Sequence, residues 1–438
     1  MIARITAPIF GLLLLTGIAM PAHAAGPGMK TFPTAAQTDP NALGMMQGFP
    51  PPPDKTIRFY DGTSSRFPYT RWAFSHIREL VPTANVSRGE GPIVELPRAE
   101  RDLSNVAFST LDGKSMTFDD AMGLTYTDGI LVLHKGKIVF EKYFGAGSPE
   151  RPHIAFSVTK SVVGTLAAVL AVEGKLDPAA LVTKYVPELK DSAYGDATVR
   201  QVMDMTIGVK FSEDYSDPNA EVFAYARAGG LAPTPPNYQG SRTFYDFLVT
   251  LKKDGEHGQA FKYQTSNAEI LAWIIKRASG QSMASLLSDM IWSKLGAEHD
   301  GYFTVDSIGT ESGGGGLNTT LRDLARFGEM IRNHGKFNGK QIIPEAAVSD
   351  IESGADKDHF ARAGYALLKG WSYRDMWWMT HNEHNAYTAR GIHGQSIYID
   401  PKAEMVIVRY ASHPIAGNAA NDPISLPMYA AIAAELMK

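Results

Sequence analysis

The 438-residue chain contains no cysteine. That excludes disulfide bridges, thiolate nucleophiles and lipid attachment through a cysteine. A basic excess is also missing. Its 42 Lys and Arg against 46 Asp and Glu leave a formal net charge of −4, which argues against a nucleic-acid partner. Local pairs such as Lys252-Lys253 read as a solvated face. Long apolar runs are lacking but for one, Ile9 to Met20, which has the length of a signal-peptide core and is too short to span a bilayer comfortably. Arg4 precedes it, and Ala22-His23-Ala24 follows with small residues where a signal peptidase reads. The expectation is a signal peptide over 1–24, cut after Ala24. The mature protein is then periplasmic or secreted, with no stable membrane insertion; a retained anchor is the alternative. Several chemical signatures are absent too. There is no G-x-S-x-G elbow, which speaks against an α/β-hydrolase. His381-Asn382-Glu383-His384 is not the H-E-x-x-H zinc pattern and reads as a polar loop. The glycine run 313–316 lacks the Lys and Ser/Thr of a phosphate loop, so no nucleotide site is implied, and no metal or cofactor is expected for the chemistry that the other segments carry.

What is present is an ordinary globular composition, 44% hydrophobic and 20% charged, with length for one large two-part domain or two ordinary ones. Residues 25–105 are rich in proline, including Pro50–Pro53, and read as an extended lead that lies along the main domain or links to it. A short apolar stretch around Trp72–Ile77 is a candidate docking helix. Ile130–Leu133 and Ile138–Phe140 flank a tight-turn sequence and predict a β-hairpin; Ser396–Ile399 and Met405–Val408 predict a second. Helical spacing predicts a buried helix from Ser157 to Glu173, another from near Ser266 to Gly280, a third over Leu321–Asn333 and a closing helix over 426–437. The stretch 176–300 reads as a mostly helical insertion. Strands, then helices, then strands imply an α+β layer built from both ends of the catalytic region, 106–438, with a cleft against the insertion.

Three segments carry chemistry. Ser157-Val158-Thr159-Lys160 opens the buried helix, so Lys160 lies one turn from Ser157 on the same face. A serine hydroxyl needs a base, and a lysine in an apolar helix has its pKa lowered by desolvation and can serve. The same four residues also fit a serine N-cap followed by a solvent-facing lysine. Tyr263 precedes the 266–280 helix and could relay a proton to a leaving group, or be a core tyrosine. Gly391-Ile392-His393-Gly394-Gln395 enters a strand. Its small residues would let substrate approach the backbone, and the N–H groups of Ser157 and of Ile392 or His393 could form an oxyanion hole. The alternative is a bulged strand start. Trp371, Trp377 and Trp378 read as strand packing rather than a pocket wall.

Together these segments resemble the serine β-lactamase and penicillin-binding-protein superfamily, and more closely its class C-type branch, over about residues 106–438. Gly314–Gly328 and Asn338–Glu345 are similar in wording. The resemblance implies the β-lactamase/transpeptidase-like fold, an antiparallel sheet flanked by helices. It implies Ser157 as the acylated serine, Lys160 as its base and Tyr263 as the second-motif tyrosine. His393-Gly394-Gln395 stands where penicillin-recognising members carry Lys-Thr-Gly. The missing lysine favours a small-molecule ester or amide over a β-lactam or a D-Ala-D-Ala peptide. Met203–Pro218 resembles the loop of 6-aminohexanoate-dimer hydrolases that carries a substrate-contacting tyrosine, which places Tyr215 at the substrate with Gly391, His393, Gly394 and Gln395. A non-catalytic sensor on the same fold is the reading from another class.

Overall fold

The computed structural model describes residues 32–215 and 217–438; the expected signal segment and its cut site lie outside them. β1 (Thr127–His134) and β2 (Lys137–Tyr143) form the first expected hairpin, turning at Lys135-Gly136. From the far end of the chain come β3 (Ser372–Arg374), β4 (Trp377–Met379), β5 (Tyr387–Gly391), β6 (Gln395–Asp400) and β7 (Met405–Ala411). The sheet order is β3-β4-β5-β6-β7-β1-β2, with every neighbouring pair antiparallel. The β7–β1 pairing joins the two ends, as expected of a layer built from both.

Alternation along the strands makes two faces. Ile130 and Val132 pack with Met405, Ile407, Met428 and Ile432. Leu131 and Leu133 belong to the larger core with Val406, Val408, Leu324 and Phe327. That second face carries α1 (Val158–Val172) and α3 (Leu321–Arg332), while α4 (Asp422–Leu436) covers the first. α1 is buried from Val158 to Leu170, as an all-round apolar helix must be. Gly164, the one glycine inside it, sits where Asp375 crosses: a Cβ there would lie 2.0 Å from the Asp375 carbonyl oxygen. α4 begins at Asp422, a turn before the expected 426, because Asp422-Pro423 supply an acidic first turn and a proline at a position whose N–H is not needed.

The insertion contains Glu221–Ala228, Phe244–Leu248, α2 (Thr265–Ser279) and Met283–Met290; no strand falls between 176 and 300 among the described residues. The lead segment is more than an extended strap. Thr83–Val86 pairs with Gly301–Thr304 in a second sheet that also holds Leu317–Thr319 and His153–Ile154. These strands have two to four residues, too few for alternation to show in sequence. Arg71, in the short helix Thr70–Ala73, forms a buried ion pair of 2.8 Å with Asp128 at the base of β1.

Candidate active site

Ser157 stands directly before α1, preceded by Phe156 at φ +44°, a left-handed conformation that costs a bulky residue on the order of 1–2 kcal/mol. The serine does not cap the helix; its side chain makes no capping bond. Instead Lys160 Nζ donates to Ser157 Oγ at 2.8 Å and to the Gly314 carbonyl at 2.6 Å. Lys160 is only 1% exposed, so the solvent-facing alternative does not hold. Burial pulls its pKa down to about 8, against the raising fields of Glu213 and Glu269. The ammonium lies over the Tyr263 ring, 5.2 Å from its centroid, and the Tyr263 phenol shares a hydrogen bond with Ser157. Burial and Glu213 hold that phenol well above its ordinary pKa. Near neutrality, therefore, the Tyr263 phenol is uncharged, whereas Lys160 titrates about one unit above neutral pH.

Two carboxylates in this cluster were not anticipated. Glu269, on α2, accepts from the Tyr225 hydroxyl at 2.6 Å, from Ser312 Oγ at 3.0 Å and from the N–H groups of Gly313 and Gly314 at 2.9 and 2.8 Å. It grips the glycine run whose carbonyl receives Lys160. Glu213 accepts from the Thr265 N–H at the start of α2. Burial pushes both carboxyls upward, and Lys160 pulls Glu213 back. The signal for Glu269 was there: an acidic residue amid the apolar positions of a helix. Glu213, in a polar loop, gave none.

At the end of β5, Gly391 packs on this cluster. A Cβ there would lie 2.7 Å from the Ala155 carbonyl oxygen and 3.1 Å from the Ser157 nitrogen, so only glycine lets the strand end come this close. The Ser157 N–H itself has no acceptor among the described residues. The next residues diverge from the sequence expectation. The His393 N–H donates to the Ala416 carbonyl at 2.9 Å, which removes it as an oxyanion donor. Its ring packs on Phe74 and Phe156, Nδ1 meets the His413 carbonyl at 2.6 Å, and burial lowers its pKa to about 4. The Gly394 carbonyl accepts from Arg409 Nε. The Gln395 amide spans the Ile392 and Ala411 carbonyls and accepts the Ala411 N–H. These groups tie β6 to β7; the structure does not bring the Gln395 side chain or the His393 N–H to Ser157. Gly391 remains beside it.

Tyr215 lies on the rim, 37% exposed, with its ring edge-on to Phe223. The residue is partly exposed while its phenolic end is desolvated; that desolvation and the Glu213 charge raise the phenol, as they do that of Tyr263. Trp377 packs inside, donating to Thr165 Oγ1, as expected of a strand residue. Trp378 also packs as a strand residue, buried in β4 with its ring 5.2 Å from that of its cross-strand neighbour Tyr373, and it lies 5.3 Å from the ring of Tyr263. His381 and His384 bind Ser372 and Asp400, in keeping with a polar loop.

An antiparallel sheet with α1 across one face, and a serine and lysine one turn apart at its start, define the β-lactamase class of serine hydrolases. The Beta-lactamase family model matches residues 121–424, and the chain belongs to that family. It is 37% identical over 349 residues to the 6-aminohexanoate-dimer hydrolase of Paenarthrobacter ureafaciens, covering 79% of this chain and 86% of that protein. A solved Bacillus anthracis structure, provisionally assigned as a 6-aminohexanoate-dimer hydrolase, superposes with a TM-score of 0.80 at 32% identity, over 87% of this chain and 99% of that one. A penicillin-binding-protein homologue from Caulobacter crescentus shares the fold alone, with a TM-score of 0.51 and 17% identity over 69% of this chain and 92% of that one.

Proposed function

We propose that this hydrolase cleaves an ester or amide bond of a small molecule through an acyl-enzyme on Ser157. The observation that carries the reading is the 2.8 Å contact between Ser157 Oγ and a buried Lys160 whose pKa is lowered to about 8. Unprotonated Lys160 takes the Ser157 proton as Oγ attacks the carbonyl carbon. The Ser157 and Ile392 N–H groups receive the oxyanion. The bond to the leaving oxygen or nitrogen then breaks, and that atom takes a proton from Lys160, with Tyr263 as relay. Water attacks the acyl ester and gives its proton to the same pair; the bond to Ser157 Oγ breaks, Oγ takes that proton back, and the acid is released. No metal or cofactor enters these steps.

The relative from Paenarthrobacter ureafaciens supports a 6-aminohexanoate-dimer-like amide or a related carboxylic ester as substrate class. In that reading Tyr215, on the rim beside Tyr263, would hydrogen-bond the leaving nitrogen. A β-lactamase or D-Ala-D-Ala peptidase role is disfavoured because His393, buried and neutral, stands in place of a lysine. The N-terminal segment supports export to the periplasm or medium. A panel of p-nitrophenyl esters, nitrocefin and 6-aminohexanoate dimer tests the substrate class. Turnover of the dimer or the esters is expected, and rapid turnover of nitrocefin alone would overturn the assignment.

A further inference from the structure

Beyond the Ser157 cluster, one cation stands on the strand that delimits the site. Arg390 is the β5 residue immediately before Gly391. Its guanidinium carbon lies 5.6 Å from the Trp371 ring centroid and 5.2 Å from that of Trp378, the ring that also lies beside Tyr263. Nη2 donates to the Asp422 carboxylate at the start of α4. Among the described residues no other acceptor meets the guanidinium, which has five N–H donors to place. Its side chain is 8% exposed. Tyr365, whose phenol is pushed up to about 12 by burial and by Glu213, feels Arg390 with the opposite sign; its ring lies 5.8 Å from that of Trp378, against which Arg390 also packs.

A guanidinium packed against two indoles is partly desolvated, and the N–H groups that Asp422 does not engage can form a fork for a planar anion. The third-motif lysine is missing at position 393, in the turn Ile392–Gly394, and Arg390 supplies a cation three residues earlier, on β5. We propose that Arg390 is a specificity-determining residue that selects esters or amides carrying a free carboxylate. The proposal rests on the Ser157 hydrolase reading and narrows its substrate class.

The test compares kcat/KM for three chromogenic esters. One is neutral p-nitrophenyl hexanoate. The second, mono-p-nitrophenyl adipate, has a carboxylate at the far end of the acyl chain. The third, 4-nitro-3-(hexanoyloxy)benzoate, has it on the leaving group. The proteins are the full chain, the pair Arg390→Met with Asp422→Asn (which removes both buried charges together), Arg390→Lys and Asp422→Asn. The parent should favour at least one carboxylated ester over the neutral one tenfold or more, through KM. That ratio should collapse in the double variant, fall to an intermediate value with lysine, which lacks the fork, and hold or grow in Asp422→Asn, which frees the guanidinium. Equal treatment of the three esters by the parent, or a preference that survives in the double variant, overturns the proposal. Failure of the parent to turn over any ester or to take a fluorophosphonate label is a different result, because it overturns the hydrolase reading itself.

Discussion

Lys160 Nζ lies 2.8 Å from Ser157 Oγ and 2.6 Å from the Gly314 carbonyl oxygen, so the ammonium is held between the proposed nucleophile and the glycine run. The proton balance of this contact sets the pH dependence. Burial lowers the Lys160 pKa from 10.5 to about 8. Below that pH the amine is protonated and cannot accept from Ser157. The rate of Ser157 labelling by a fluorophosphonate should therefore rise close to tenfold per pH unit up to about 8 and then level off. A rate independent of pH between 6 and 9 would contradict Lys160 as base.

Glu213 tunes that limb. Its carboxylate is the stronger of the two charges, with Glu269, that raise Lys160. Glu213→Gln removes the charge and keeps the shape, so the limb should move to lower pH, by on the order of half a unit to one unit. A limb displaced upward would show that the carboxylate acts otherwise, and KM measured alongside separates this from a loss of binding.

Stability should respond to Lys160 in the opposite direction from activity. A lysine whose folded pKa lies below its unfolded value binds fewer protons folded than unfolded. Stability therefore rises with pH between about 8 and 10.5, and the penalty is present in full below 8. Lys160→Met should abolish turnover yet stabilise the fold near neutrality by on the order of 1–3 kcal/mol. Urea denaturation at pH 7 checks this; a large destabilisation would mean that the bonds to Ser157 and Gly314 outweigh the cost of burying the charge.

Gly391→Ala should cost activity out of proportion to stability. The added Cβ would be 2.7 Å from the Ala155 oxygen and 3.1 Å from the Ser157 nitrogen, which moves the strand end away from the serine. A loss of about 10²-fold in kcat/KM is expected from such a displacement. Gly123→Ala, at a helical position with open space around it, should be neutral or slightly stabilising and serves as the control. Equal activity of the two variants would remove the strand end from the site.

Much of this was legible in the sequence because each element obeyed one period. The β1–β2 and β6–β7 hairpins were marked by apolar runs around turn residues, and α1 by an unbroken apolar helix with Ser157 and Lys160 three apart. The small sheet was not legible, since its strands are too short to show a period and Thr83–Val86 meets Gly301–Thr304 across more than two hundred residues. The environment of Lys160 was hidden for the same reason: Gly314, Glu269 and Glu213 reach it only through tertiary packing. The third motif misled because it is local in sequence but divides in space. Gly391 faces Ser157, while the Gln395 amide turns inward to stitch two strands together.

The most direct test of the account is mass spectrometry of the intact chain after reaction with a fluorophosphonate at pH 8. The account predicts one adduct, mapped by proteolysis to Ser157, lost in Ser157→Ala and slowed at least 10³-fold in Lys160→Ala. An adduct on another residue, or none on a folded chain, would contradict it.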